Sequence, residues 1–188
     1  MFIQTEQTPN PQTLKFLPGK VVMNEGTAFY QKIDEAGDSP FARRLFAIEG
    51  VEGVFFGSDF ITITKNDAYE WQTMKPSILG GIIDHFKSDD NTVEKSLSKE
   101  AENSFEKNED DSEIVKQIKE LLDTRVRPAV AMDGGDIIYN NFEDGVVYLK
   151  MQGACSGCPS STATLKMGIE NMLKHNIPEV KEVRPVDA

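Results

Sequence analysis

A charge-rich segment between residues 87 and 113 divides this 188-residue chain into two parts. The segment holds ten acidic and four basic residues and almost no large apolar side chains. Such a composition buries too little apolar surface to offset the entropy of ordering a chain. We therefore predict a flexible acidic linker over residues 87–111, between a small domain at 1–86 and a second at 112–188. A transient helix is the alternative for the linker, because apolar residues recur in it every four positions.

The N-terminal part predicts a compact unit of mixed helix and strand. We expect a strand in "TLKFLPGK" that stops at Pro18-Gly19, and a helix capped by Ser39 that begins at Pro40. The run "GVFFGSDFITITK" predicts a hairpin, since two apolar β-forming stretches flank a Gly-Ser-Asp turn. Apolar positions at helical spacing from Trp71 to Phe86 predict a second helix, weakened by an internal proline and two glycines.

The C-terminal part predicts the element order α-β-β-α-β. A helix starts near Ser112 and is ended or bent by Pro128, and a hairpin turns at Asp144-Gly145. A second helix starts at Pro159, and a short final strand lies in "VKEVRPV". The fold class that we predict is therefore α+β (mixed α/β), with two small two-layer domains joined by the linker.

Charge and hydropathy exclude several classes of partner. The formal net charge of −11 disfavours a phosphate-binding surface, so we expect no nucleic acid. No apolar run approaches the roughly 20 residues of a membrane span, so we expect no membrane association. The N-terminus lacks the pattern of a secretory signal and of an Arg-rich transit peptide. We therefore predict a cytoplasmic, bacterial location, with the mitochondrial matrix as the alternative if this is a processed form.

The chain has two cysteines, Cys155 and Cys158, in the loop "GACSGCPSS" between a predicted strand and a predicted helix. Pro159 suits the first helical position, which makes Cys158 the expected N-cap. Unpaired N–H groups and the positive end of the helix dipole should then favour thiolate over thiol. Gly157 permits the tight turn that directs both sulfurs to one centre. The motif is a soft, bidentate metal ligand.

Three uses of this pair remain open on spacing alone. A thiol–disulfide switch needs only two sulfurs, although here the proline follows the pair and no βαβ pattern precedes it. A zinc site needs two more ligands. His175 lies at the far end of the same helix, about 25 Å away, and cannot supply one. Two copies of the chain would supply four thiolates, the ligand set of a 4Fe–4S cluster at a two-fold interface.

Segments in both predicted domains resemble those of a known family. The run "VRPAVAMDGGDIIYNNFEDGVVYLKMQGACSGCPSSTATLKMGIENMLKHNIPEV" resembles the C-terminal domain of NifU-like (Nfu-type) iron–sulfur scaffold proteins. The segments "TPNPQTLKFLPG" and "SPFARRLFAIEGVEGVFFGSDFITITK", with a tryptophan followed by "KPSI", resemble the Nfu N-terminal domain. The resemblance covers both predicted domains and omits only the acidic linker.

The resemblance implies a cluster scaffold or carrier and not an enzyme. It implies that Cys155 and Cys158 bind the cofactor and, as part of it, the metal. The cofactor it implies is a 4Fe–4S cluster that bridges the two subunits of a cluster-dependent homodimer. The partners that it implies are upstream assembly proteins and apo-clients such as lipoyl synthase or aconitase-type enzymes, with the N-terminal domain in partner interaction. A thiol–disulfide oxidoreductase that uses the same C-x-x-C pair is the alternative function.

Other distinctive residues have simpler interpretations. We expect Asp133-Gly134-Gly135-Asp136 to be a tight connection, and Arg125 and Arg127 to have a helix-end charge role. The remaining expectations are core packing for the aromatics, surface or helix-end positions for the histidines, and gap-filling for the methionines near the loop. The residues concerned are Phe55, Phe56, Phe60, Trp71, His85, His175, Met151, Met167 and Met172.

Overall fold

The structure, a computed structural model, describes residues 2–37, 39–88, 112–157 and 159–186. The chain divides into two compact units, Met1–Leu97 and Ser98–Ala188. Each unit has its own sheet and its own cluster of buried apolar side chains. The mixed helix-and-strand fold class predicted from the sequence is confirmed. The predicted linker, beyond its first two residues, lies outside the described residues.

The described residues of the N-terminal unit form a five-stranded antiparallel sheet with two α-helices and a short 3₁₀ helix at Ile33–Ala36. The strand order is β1-β2-β5-β4-β3, and every neighbouring pair is antiparallel. The elements are β1 (Gln4–Gln7), β2 (Thr13–Leu17), β3 (Ala28–Tyr30), α1 (Pro40–Phe46), β4 (Val51–Phe56), β5 (Ile61–Lys65) and α2 (Trp71–Lys87).

Local sequence signals account for the predicted elements of this unit. The Ser39 hydroxyl accepts a hydrogen bond from the Ala42 amide at 2.9 Å, which caps α1 one residue before Pro40. Alternate residues of the strands, such as Phe16, Phe56 and Ile63, pack with the apolar sides of α1 and α2 in one core. Strands β1 and β3 were not predicted, because β1 is polar and exposed throughout and β3 has three residues.

His85 lies in the last turn of α2, at a helix end as expected, but it is buried and not at the surface. Its side chain is 8% exposed and stacks on the Phe41 ring, with 3.8 Å between ring centroids. The helical spacing of α2 places His85 three residues after Ile82, on the side that faces the core. The expected core positions of Phe55, Phe56 and Phe60 are confirmed.

The C-terminal unit packs helices on a three-stranded sheet and has the predicted α-β-β-α-β order. Strand β6 pairs antiparallel with β7, and β8 pairs parallel with β7. The parallel pairing requires a crossover, which α5 provides. The elements are α3 (Glu113–Leu121), α4 (Arg127–Met132), β6 (Gly135–Glu143), β7 (Val146–Gly153), α5 (Pro159–Asn176) and β8 (Glu182–Val186).

Pro128 bends the first helix of this unit and does not end it. One wider π-helical turn, Leu122–Val126, lies between α3 and α4. Proline lacks the amide that would bond the carbonyl four residues earlier, and its ring crowds that carbonyl, so the helix widens just before it. The turn keeps Ile118, Leu122 and Val126 in the same buried cluster.

The described residues contain no helix that is both long and apolar enough to cross a membrane.

Candidate thiolate site

Cys155 lies where the sequence predicts it, between the end of β7 at Gly153 and the start of α5 at Pro159. Cys155 is 5% exposed and packs in the core cluster of the C-terminal unit. Gly157 has a φ of +83°, a left-handed conformation that suits glycine and turns the loop as expected. Cys158 lies outside the described residues, so its predicted N-cap position stays a prediction.

The thiol of Cys155 is seated against the backbone of Gly135 at the start of β6. A Cβ atom at position 135 would lie 2.5 Å from Cys155 Sγ and 2.7 Å from the Gln152 carbonyl oxygen. Neither approach is possible for a real side chain, so this position requires glycine. The sequence predicts a turn at Gly134-Gly135 but not this contact, because the two residues lie 20 positions apart.

Hydrogen bonds hold the cysteine loop from three sides. The Ala154 amide donates to the Gly134 carbonyl at 3.1 Å, and the Cys155 amide donates to the Gln152 carbonyl at 3.3 Å. From α5, the Thr162 hydroxyl donates to the Cys155 carbonyl at 3.2 Å. The loop is therefore anchored to the β6 entry, to β7 and to the first turn of α5.

The electrostatics of the site correct the expected thiolate. Burial, and after it the negative charges of Asp133 and Asp136, raise the pKa of the Cys155 thiol to about 12. Burial and these charges favour the thiol, in contrast to the thiolate expected at a helix N-terminus. In this structure Cys155 is a protonated thiol at neutral pH.

Arg127 is a second correction, because it forms a specific ion pair and not a general helix-end charge. Its guanidinium donates to both carboxylate oxygens of Asp136 at 2.9 Å, and it also donates to Asp123 at 3.0 Å. Burial acts to lower the pKa of Arg127, but the hydrogen bonds and charges of Asp136 and Asp123 outweigh it, and the net pKa is raised. Asp136 is buried and also accepts from the Ile137 amide.

The Asp133–Asp136 segment is a tight connection, as predicted. Gly134 adopts a φ of +83° between the end of α4 and the start of β6. The same segment supplies the Gly135 seat for Cys155 and the buried carboxylate that binds Arg127. One short turn therefore links the thiol, the ion pair and the first strand of the sheet.

The other candidate residues divide between the core and the surface. Met151 is buried and Met172 packs against the core, which confirms the gap-filling expected of them. Met167 is a correction, because it is 65% exposed. His175 is exposed, as expected. Across the part of the chain that the structure describes, no group of three or more His, Cys, Asp or Glu side chains could hold a metal ion.

The site can therefore offer soft sulfur ligation, and the described residues hold no group of three or more candidate metal ligands of their own. The fold and this loop define a class of protein: a two-unit α+β protein with a C-x-x-C loop between a strand and a helix.

Two family models match the chain, one in each unit. The model described as "Scaffold protein Nfu/NifU N terminal" matches residues 3–89. The model described as "NifU-like domain" matches residues 118–184, which include both cysteines.

Similar proteins are named as Nfu or NifU-like proteins. A human protein named "NFU1 iron-sulfur cluster scaffold homolog, mitochondrial" is 54% identical over 188 residues, covering 99% of this chain and 72% of its own length. "NifU-like protein 4, mitochondrial" of Arabidopsis thaliana is 52% identical over 185 residues, covering 97% of this chain and 65% of its own. A solution structure of a NifU-like protein from Saccharomyces cerevisiae is 30% identical, with a TM-score of 0.44, and covers 53% of this chain and 87% of its own.

The chain belongs to the Nfu-type, NifU-like family of iron–sulfur cluster scaffold proteins. The match spans 72% of the length of the human relative, 65% of the plant relative and 64% of the fly relative. These relatives are named as mitochondrial, which gives no support to the cytoplasmic location predicted from the sequence.

Proposed function

We propose that this protein carries a 4Fe–4S cluster that two copies of the chain hold between them and deliver to apo-proteins. Cys155 and Cys158 of each copy are the ligands in this proposal. The observation that carries it is the C-x-x-C loop in a chain with two cysteines in total, within a family of iron–sulfur scaffolds.

The number of ligands supports the sharing of the cluster between subunits. A 4Fe–4S cluster takes four cysteine thiolates, and one chain has two. The described residues offer no group of three or more alternative ligands. A two-fold pair of loops completes the set with two sulfurs from each subunit. Separating the subunits removes half of the ligands of the cluster, which suits a cluster that must be transferred to another protein.

Cluster loading requires the Cys155 thiol to leave its seat. The side chain is buried against Gly135, and its raised pKa means that a proton must leave when iron binds. Rotation of the loop away from Gly135 would bring the sulfur to the surface and away from Asp133 and Asp136. Release then follows by ligand exchange, in which a client thiolate replaces Cys155 or Cys158 on iron while the subunits part.

In this proposal the rest of the chain serves the interaction with partner proteins. The N-terminal unit selects the partner proteins, upstream assembly proteins supply the cluster, and the segment at 87–111 links the two functions. The mitochondrial names of the similar proteins support a location in the mitochondrial matrix. The chemistry at the cysteines is cluster transfer, without an enzymatic reaction.

The geometry at Cys155 does not favour the alternative of a thiol–disulfide oxidoreductase. The attacking sulfur of such an enzyme is an accessible thiolate with a lowered pKa. Cys155 is 5% exposed, and its pKa is raised to about 12.

Anaerobic reconstitution with iron and sulfide tests the proposed function. We expect a brown product with about two iron atoms per chain and, by light scattering, the mass of two chains. Cys155→Ser and Cys158→Ser should lose the cluster, whereas Ser156→Ala in the same loop should keep it. A colourless monomer with disulfide-exchange activity, or a full cluster in either Cys→Ser variant, would overturn the proposal.

A further inference from the structure

We propose that Gln152 is a positioning residue for cluster loading, because its buried and unpaired side-chain oxygen favours departure of the cysteine loop from its seat. This inference rests on the proposed function, in which Cys155 must leave the Gly135 seat before it binds iron. Gln152 lowers the free energy that this movement requires.

The first observation is the buried side chain of Gln152 near the end of β7. The residue is 6% exposed, and its Oε1 atom is buried. Among the residues that the structure describes, no group donates a hydrogen bond to this oxygen. A buried acceptor without a donor costs free energy that the same oxygen does not cost in water. Such groups are few in folded proteins, so this one requires a physical reason.

The side chain opposite Gln152 on the neighbouring strand cannot supply the missing donor. Gln152 pairs with Asp136 of β6, so the two side chains lie on the same side of the sheet. Asp136 binds Arg127 as a carboxylate, which accepts hydrogen bonds and has none to donate. The residue opposite Gln152 is therefore a second acceptor.

Burial on the outer side of β7 increases toward the cysteine loop. Val146, Tyr148 and Lys150 on this side are half-buried. Gln152 follows them next to the loop, and it is the first residue of this side to be buried. Its backbone carbonyl also accepts from the Cys155 amide at 3.3 Å, which ties the residue to the loop. We therefore expect displacement of the loop to admit water to the Oε1 atom and to supply the missing donor.

The unpaired oxygen thus acts differently on the seated and the displaced loop. It raises the free energy of the seated arrangement, and it has little effect once water reaches it. The usual cost of a buried unpaired acceptor corresponds to about a tenfold or larger shift in such an equilibrium. Because iron binds the displaced loop, a larger population of that state raises the apparent affinity for the cluster.

Removal of the oxygen tests this role through the reactivity of Cys155. The full-length, cluster-free chain with Cys158→Ser leaves Cys155 as its one thiol. In this chain we expect Gln152→Met and Gln152→Leu each to slow modification by a thiol reagent at least about tenfold at one fixed pH, since a buried thiol reacts after the loop opens. The matched control is Gln117→Met, the same exchange at an exposed position of α3, which should react like the parent chain. Unfolding midpoints in urea at or above that of the parent would show that both Gln152 variants fold.

Cluster retention separates a positioning role from a purely structural one. With Cys158 present, Gln152→Met should lose its reconstituted cluster at a concentration of iron chelator at least about tenfold lower than the wild type, and Gln117→Met should match the wild type. Unchanged or faster modification of Cys155 in both Gln152 variants would overturn this inference alone. So would slower modification combined with wild-type cluster retention. A wild type that binds no cluster, or binds it as a monomer, would overturn the proposed function itself.

Discussion

At the scale of single residues, the contact between Gly135 and Cys155 decides the state of the thiol. The sulfur lies 2.5 Å from the place that a β-carbon at position 135 would take. The buried thiol and the glycine are therefore one packing unit, and a change at either alters the other. This pair offers the simplest way to change the position of the sulfur without removing it.

Gly135→Ala should destabilise the protein and displace the thiol. The added carbon would lie 2.5 Å from Cys155 Sγ and 2.7 Å from a backbone oxygen, so the loop must move. We expect a loss of about 1–3 kcal/mol in the free energy of unfolding, measured by urea denaturation, and faster reaction of Cys155 with a thiol reagent. The matched control is Gly168→Ala, on α5 with open space around it, which should gain about 0.5–1 kcal/mol. Equal stabilities for the two variants would contradict the close contact.

The raised pKa of Cys155 also predicts how stability depends on pH. The thiol titrates near 9.0 in the unfolded chain and at about 12 in the folded one, so the unfolded state loses its proton first. The stability from the protonated thiol is therefore complete below pH 9 and falls between pH 9 and 12, by about 1.4 kcal/mol per pH unit.

Cys155→Ala isolates this contribution from the lysines and tyrosines that titrate in the same range. The difference in unfolding free energy between the cluster-free wild type and this variant should shrink by about 2 kcal/mol from pH 8.5 to pH 10.5. Parallel pH curves for the two proteins would show that the thiol is accessible to solvent in the folded state.

At the scale of elements, the Arg127–Asp136 pair joins a helix to a strand. Arg127 begins α4, Asp136 is the second residue of β6, and Gly135, which seats Cys155, directly precedes Asp136. The additional bond to Asp123 includes the π-helical turn in the same group. The position of the thiol seat thus depends on the relative placement of three elements.

Arg127→Gln should cost about 3 kcal/mol in the free energy of unfolding, because it leaves the Asp136 carboxylate buried without its charge partner. Arg125→Gln removes the same charge at an exposed position two residues away and should change stability by less than about 0.5 kcal/mol. Urea unfolding of both variants gives the comparison. A similar small effect at the two positions would mean that the pair is not a structural link.

The contrast between these elements shows which parts of the structure the sequence could predict. The α1 cap at Ser39 and the hairpin turn at Asp144-Gly145 were predicted, because their signals lie within a few neighbouring residues. The Cys155 seat on Gly135 was not, since it depends on the pairing of β6 with β7 and on loop hydrogen bonds. The same limit applies to Arg127 and Asp136, whose pairing depends on the path of the chain through the π-helical turn.

At the scale of the whole molecule, net charge opposes the pairing of two copies, and this charge is unevenly distributed. Residues 87–111 hold nine acids and four bases, whereas residues 112–188 hold eleven acids and nine bases. The cysteine-bearing part of the chain is thus nearly neutral. Most of the repulsion between two copies comes from the rest of the chain.

Salt should therefore strengthen the cluster-loaded dimer of the full chain. Two chains that each carry a net charge of −11, with their centres about 50 Å apart, repel each other by about 2 kcal/mol at 10 mM salt. At 150 mM salt the repulsion is negligible. We expect the dimer dissociation constant, measured by light scattering on dilution, to fall about tenfold or more between these conditions. Residues 112–188 alone, which contain their own buried core, should keep the cluster and show less than about a twofold change. A full-length dimer that weakens with salt would instead mean that attractive ion pairs hold the two copies together.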